Sequence, residues 1–218
     1  MLGYDDLLVN AENDWFLREV RHYLKRVLKR FDLTAKTFFA LIEPGSCFAV
    51  TLAELVFASD RAMMLIGTRD GDNRPAATIV LHDVNFGTYP MGNGLSRLES
   101  RFFGEPDTLE QAQGKIREPL EAEEAEELGL VTFAREDFDW DDELRVMIEE
   151  RASQSPDALT GMEANLRFTG PESMETKIFG RLTAWQNWIF QRPNAVGEQG
   201  ALKLYGSGVK PGYAMDRI

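Results

Sequence analysis

The sequence predicts an α/β fold followed by a helical C-terminal region. Apolar runs of strand length alternate with helical segments within residues 1–138. A tight glycine turn joins the first of these runs to the helix after it. Beyond residue 138 the pattern changes to consecutive helical segments. We therefore expect an α/β core at 1–138, a helical region at 139–191 and an extended tail at 192–218.

The composition describes a globular chain with a strongly acidic balance. Of 218 residues, 44% are hydrophobic and 28% charged, and the formal net charge is −12. This negative charge argues against nucleic acid as the main partner. We expect no membrane association, because no apolar run approaches spanning length and the N-terminus lacks a signal-peptide pattern. Cys47 is the single cysteine, which excludes an internal disulfide and favours a cytoplasmic protein.

The predicted elements begin with a helix at 12–31, where apolar residues recur at helical spacing between basic ones. The apolar run at 36–42 predicts a buried strand. A turn at Gly45 leads from this strand into a short helix. Residues 62–66 and 77–81 predict a second and a third strand, and strands that alternate with helices predict crossover connections.

The region from His82 to Gly94 predicts a shaped loop, because three glycines and a proline lie close together. Further helices are predicted at 95–103, 122–128, 140–151, 156–168 and 172–191, and a short strand at 130–133. Apolar residues occupy more than one face of the last predicted helix. This helix is therefore predicted to be either central or an oligomer contact.

The segment around Gly45 is the clearest candidate for a functional site. Strand, glycine turn and helix start together direct unpaired backbone N–H groups at one point, which favours anion binding. Glu54 lies one helical turn beyond Thr51, within reach of a group held there. The alternative is a buried strand that enters a helix, with Glu54 exposed to solvent.

Other candidate groups are few. The sequence contains no phosphate-binding loop, dinucleotide fingerprint, nucleophile elbow or pair of Cys or His residues at metal-ligand spacing. His82 borders the shaped loop, and Cys47 is predicted to be a small buried thiol rather than a nucleophile. Glu54 and Asp83 come from separate elements, and as a pair they would support acid–base chemistry. The sequence leaves open whether they meet.

Four sequence marks follow one another in order. The Gly45 turn with Glu54 comes first, and Asp83 with a glycine-rich loop that ends at Arg97 comes second. An alanine-containing helix and a Gly-Leu-Val strand follow within 120–131, and the C-terminal helices come last. In this order the marks resemble those of the crotonase (enoyl-CoA hydratase/isomerase) superfamily.

Longer runs at 43–49, 85–102, 162–168 and 181–194 are similar to one family of crotonase-type enzymes, which cleaves the ring of epoxidised benzoyl-CoA in aerobic benzoate breakdown. This resemblance covers roughly residue 14 to the end. It implies a crotonase-like fold, a partial ββα spiral with a C-terminal helical oligomerisation region. It also implies an enzyme without metal or redox cofactor that opens the ring of 2,3-epoxybenzoyl-CoA with water and releases formate.

The resemblance assigns roles to individual residues. It gives the two acid–base positions to Glu54 and Asp83, and one half of a thioester oxyanion hole to the backbone N–H groups of Val50 and Thr51. We expect the substrate-binding residues to be Phe48, His82, Asn85, Phe86 and Met91.

Two departures from the family's pattern bear on these expectations. Val50 stands where the family favours glycine. The family's chain is also longer at its N-terminus, so we expect this chain to correspond to its C-terminal part. Expected partners are an acyl-CoA substrate and either further copies of this chain or that N-terminal part. The alternatives are a generic enoyl-CoA hydratase or isomerase and a non-catalytic assembly fragment.

Overall fold

The computed structural model describes residues 2–9, 13–167 and 169–214. The chain divides into two compact units, of which the first contains residues 1–32 and 38–143 and the second contains 33–37 and 144–218. Phe168, at the end of a predicted helix, and residues 215–218 of the predicted tail lie outside the described residues.

The first unit contains a three-stranded parallel sheet. Its strands are β1 (Phe39–Ile42), β2 (Arg61–Leu65) and β5 (Phe133–Arg135), in the order β1-β2-β5. Helix α3 (Ala53–Phe57) lies between β1 and β2 in the chain. Because neighbouring parallel strands require a crossover connection, the predicted alternation of strand and helix is confirmed here.

A second, antiparallel pair consists of β3 (Ile79–Val80) and β4 (Pro119–Leu120). The strand predicted at 77–81 is therefore shorter than expected. The strand predicted at 130–133 begins only at Phe133. Thr132 precedes it and exchanges two hydrogen bonds with the backbone of Ala62, one through its N–H (2.8 Å) and one through its hydroxyl (3.0 Å).

The remaining helices of the first unit are short, apart from α2. They are α1 (Leu2–Val9), α2 (Trp15–Leu33), α4 (Arg97–Arg101), α5 (Pro106–Gln113) and α6 (Ala122–Glu127), with α7 (Asp137–Ala152) beginning at the end of this unit. Helices α1 and α5 were not predicted from the sequence. Helix α4 is shorter than predicted, and Ser96 caps its start: the Ser96 hydroxyl accepts from the Glu99 N–H, and the Glu99 carboxylate accepts from the Ser96 N–H.

The core of the first unit lies between α3, the two sheets and α6. Ile42, Val56, Met64, Leu120 and Leu130 are all completely buried there. Each such side chain contributes about 1.5–3 kcal/mol when it leaves water. This packing holds α3 and the preceding turn in place.

The second unit is helical. It contains α8 (Pro156–Leu166), a π-helical segment (Thr176–Leu182) that continues into α9 (Thr183–Ile189), and α10 (Pro193–Val196). Gly161 of α8 allows close approach of Ile189 and Trp185. The predicted extended tail begins instead with α10, and turns follow it.

The helix predicted at 172–191 does not occupy a central position in its unit. Met174 is 72% exposed and Phe179 71%, and Leu182 is also exposed. The central alternative is therefore wrong for these side chains, whereas the oligomer contact stays a prediction. Within the described part of the chain, no helix combines the length and apolar character needed to cross a bilayer.

Candidate functional site

The turn after β1 has the geometry that its glycine predicts. Gly45 has a φ of +94°, and the Arg74 guanidinium lies where a side chain at this position would project. The Ser46 N–H donates to the Glu43 carbonyl (2.8 Å), which closes the turn. Cys47, which follows, is exposed, so the prediction of a buried thiol is wrong.

Val50 adopts a left-handed backbone conformation, with a φ of +59°. A β-branched residue is strained in this conformation, whereas glycine adopts it readily. The Val50 side chain is completely buried and belongs to a small apolar cluster with Leu28, Val84 and Tyr89. Packing therefore retains valine in a backbone conformation that glycine would adopt at lower cost.

Glu54 lies on α3, one turn beyond Val50, and is only 1% exposed. The alternative of a solvent-exposed Glu54 is therefore wrong. One carboxylate oxygen accepts from Arg97 Nη1 (2.8 Å) and the other from Asn85 Nδ2 (2.7 Å). Burial raises the pKa of Glu54 from 4.5, the value of a solvated glutamate, to about 7, although Arg97 and Asn85 favour the charged form.

Arg97 links Glu54 to a second buried carboxylate. Its Nε and Nη2 atoms donate to Asp32 at 2.8–3.1 Å, while Nη1 donates to Glu54 and to the Tyr89 carbonyl (3.2 Å). All three charged side chains of this network are buried. One guanidinium faces two carboxylates, so the negative charge of Asp32 also raises the pKa of Glu54.

Asn85 belongs to a 3-10 turn, Asp83–Phe86, which projects toward α3. Its amide group donates to the Val50 carbonyl (2.8 Å) as well as to Glu54, and its oxygen accepts from the His82 N–H (3.0 Å). Asp83, the predicted second acid–base residue, is exposed at the start of this turn. The side chain that reaches Glu54 from the turn is therefore that of Asn85.

The other predicted substrate-binding residues lie in different surroundings. Phe48 and Phe86 are partly buried and pack against the main core, and Met91 is buried. His82 is buried, with Nε2 at 3.1 Å from Asp6 Oδ1 and 3.0 Å from Arg117 Nη2. Of the predicted site residues, the structure brings together Val50, Glu54 and Asn85.

A further carboxylate, not predicted from the sequence, lies at Thr51. Asp5 of α1 is buried and accepts a hydrogen bond from the Thr51 hydroxyl, and the neighbouring Thr51 backbone also favours the charged form of this carboxylate. The Tyr89 hydroxyl lies 3.1 Å from the same Thr51 oxygen. Burial raises the pKa of Asp5, and it raises that of Tyr89 to about 12.

Two sequence signals were available for these missed residues. Asp5 and Asp6 interrupt an apolar N-terminal segment, and Asp32 ends a long amphipathic helix. Neither signal indicates which residue these carboxylates contact. Within residues 2–9, 13–167 and 169–214, no group of three or more His, Cys, Asp or Glu side chains is arranged to hold a metal ion.

Comparison with solved structures defines the class of this fold. An enoyl-CoA hydratase from Geobacillus kaustophilus HTA426 superimposes with a TM-score of 0.68 at 17% sequence identity, over 93% of this chain and 70% of its own. Pseudomonas aeruginosa AtuE gives a TM-score of 0.65 at 18% identity, over 89% of this chain and 68% of its own. The chain therefore has the crotonase-type fold of the enoyl-CoA hydratases, as the sequence predicted.

A curated relative is more similar in sequence. Benzoyl-CoA-dihydrodiol lyase of Aromatoleum evansii is 53% identical over 215 residues, which are 98% of this chain and 38% of the relative. The predicted resemblance is thus confirmed, and the chain spans about two fifths of the length of that relative. No family model matches the chain.

Proposed function

We propose that this chain contributes to an acyl-CoA lyase that opens the ring of 2,3-epoxybenzoyl-CoA with water and releases formate. The observation that carries the proposal is the identity of 53% to a benzoyl-CoA-dihydrodiol lyase over nearly the whole chain. The activity belongs to the whole protein, since the chain spans 38% of that relative.

In this proposal the backbone N–H groups of Val50 and Thr51 bind the thioester oxygen, where negative charge develops during the reaction. Glu54 transfers a proton beside them. Its pKa of about 7 supports this role, because both protonation states are then populated near neutral pH. Arg97 and Asn85 fix the orientation of its carboxyl group.

Asp83 is the second acid–base residue of the proposal, supported by its position two residues before Asn85. Phe48, Phe86 and Met91 are the apolar contacts proposed for the benzoyl ring, and His82 and Asn85 are the polar ones. No cofactor is proposed besides the CoA carried by the substrate. We further propose a cytoplasmic location and an assembly, either with further copies or with the rest of a longer protein, through the exposed apolar side chains around α9.

The test is a Glu54→Gln variant of the complete enzyme, assayed by formate release from 2,3-epoxybenzoyl-CoA. Turnover falls by about 10²–10⁴-fold if Glu54 transfers the proton, because glutamine keeps the shape and removes the acid. Glu19→Gln on the exposed side of α2 is the matched control. Normal turnover of Glu54→Gln contradicts the assignment. Hydration of crotonyl-CoA in preference to ring opening would instead indicate a generic enoyl-CoA hydratase.

One observation favours a second candidate, a non-catalytic crotonase-type domain of a larger assembly. Both oxygens of Glu54 are engaged by Arg97 and Asn85, and Arg97 is also bound to Asp32. A buried network of this kind also serves as a structural element. In that case Glu54→Gln leaves formate release by the complete enzyme unchanged and alters only its stability.

A further inference from the structure

Helix α1 covers the residue to which the proposed function assigns the thioester oxygen. Asp5, at the centre of α1, accepts a hydrogen bond from the Thr51 hydroxyl and lies beside the Thr51 backbone. A carboxylate oxygen of the protein itself therefore already contacts the residue whose N–H group would bind the oxygen of the substrate. A carboxylate and a developing oxyanion carry the same charge, so the two cannot occupy this place together.

The contacts of α1 are few and lie on one side of the helix. Leu8 is completely buried, and Val9 packs against the apolar cluster that contains Val50. On the rim, Asp6 pairs with Arg117 and lies near His82. The other side of α1 is open, with Tyr4 and Leu7 about half exposed.

The contact between Asp5 and Thr51 is also incompletely satisfied. The second carboxylate oxygen of Asp5 is buried, and among the described residues it has no hydrogen-bond partner. An unpaired buried polar atom costs free energy, which offsets part of what the hydrogen bond from the Thr51 hydroxyl contributes. A helix of eight residues is in addition too short to be stable alone in water, so α1 exists as a helix only while it is docked.

We propose that α1 is an autoinhibitory cover: Asp5 occupies the position of the thioester oxygen at Thr51, and α1 has to leave before an acyl-CoA binds there. This inference rests on the proposed function, because it takes Thr51 as the residue that binds the thioester. The apparent affinity for an acyl-CoA is then the intrinsic affinity reduced by the fraction of molecules in which α1 is undocked.

The test measures binding of benzoyl-CoA, which lacks the reactive epoxide, to the complete enzyme by isothermal titration calorimetry. Asp5→Ala removes the carboxylate, and Leu8→Ala weakens the docking of α1 without a change in charge. Both variants bind benzoyl-CoA about tenfold or more tightly than the wild type if α1 is a cover. Glu19→Ala, which removes one exposed negative charge from α2, is the control and leaves the affinity unchanged.

Hydrogen exchange of residues 2–9 is measured on the same variants and shows whether α1 is released. If α1 is released in either variant and the affinity for benzoyl-CoA stays within twofold of the wild type, α1 is not an autoinhibitory cover. Acyl-CoA binding, and with it the proposed function, is unaffected by that result. Absence of binding in every variant overturns the cover and the proposed function together. If Asp5→Ala and Leu8→Ala bind benzoyl-CoA more tightly but Glu54→Gln has normal turnover, the autoinhibitory role of α1 is supported and only the catalytic role of Glu54 is refuted.

Discussion

Replacing Glu54 with glutamine changes the pH dependence of unfolding, because burial holds the pKa of this carboxyl at about 7 in the folded chain. On unfolding, the pKa returns to near 4.5, so the folded state binds this proton more tightly than the unfolded state. The stabilisation from the bound proton is complete below pH 4.5. It is lost progressively as the pH rises to about 7.

The size of the effect follows from the two pKa values. A pKa that falls from about 7 to 4.5 on unfolding corresponds to roughly 3 kcal/mol, at about 1.4 kcal/mol for each pKa unit. Glutamine cannot ionise, so the variant lacks this contribution. The free energy of unfolding of the wild type therefore increases by roughly 3 kcal/mol relative to Glu54→Gln between pH 7.5 and pH 4.5.

Urea unfolding followed by tryptophan fluorescence measures this difference, since Trp140 is completely buried. The comparison is between wild type and variant at each pH, so that the titration of all other carboxyl groups cancels. Glu19→Gln, an exposed residue with the same chemical change, is the control and gives no such trend. If the difference between wild type and Glu54→Gln stays constant within about 0.5 kcal/mol, the elevated pKa of Glu54 is refuted.

Two further predictions concern the residues around Glu54. Arg97→Met leaves two buried carboxylates without their guanidinium and lowers the free energy of unfolding by about 3–5 kcal/mol. The control is Arg145→Met. Because Arg145 forms an exposed pair with Glu149, its loss changes the free energy of unfolding by less than about 1 kcal/mol. Similar losses in a urea titration of the two variants would contradict the buried network. Val50→Gly relieves a positive φ worth about 1–3 kcal/mol, so it destabilises less than Val84→Gly in the same apolar cluster, and it retains or raises activity. Equal destabilisation would show that Val50 is not strained.

Local features of the site were predictable from the sequence. Gly45 indicated a tight turn, and it has a positive φ. Val50 stands where the family's pattern favours glycine, but valine itself does not indicate a positive φ, and its φ of +59° became evident only in the structure. The turn depends on the conformational preference of glycine, which the sequence contains directly.

The sequence left open which side chain approaches Glu54 from the turn that follows β3. Asp83 and Asn85 lie in the same 3-10 turn, Asp83–Phe86, and within such a turn a shift of two positions changes which side chain points inward. Asn85 is buried and Asp83 is exposed. The sequence located the turn and could not select between the two residues.

The sequence by itself determined the alternation of strands and helices, the glycine turn and the position of Glu54 on the helix that follows, because apolar spacing and local backbone preference are sufficient for these. Only the tertiary structure decided the environment of the site. Partners of Glu54 and Thr51 stand 31, 43 and 46 positions away in the chain, and Asp32 lies 65 positions from Arg97. Contacts over such separations depend on how the elements pack, and packing also provides the burial that sets the pKa of Glu54.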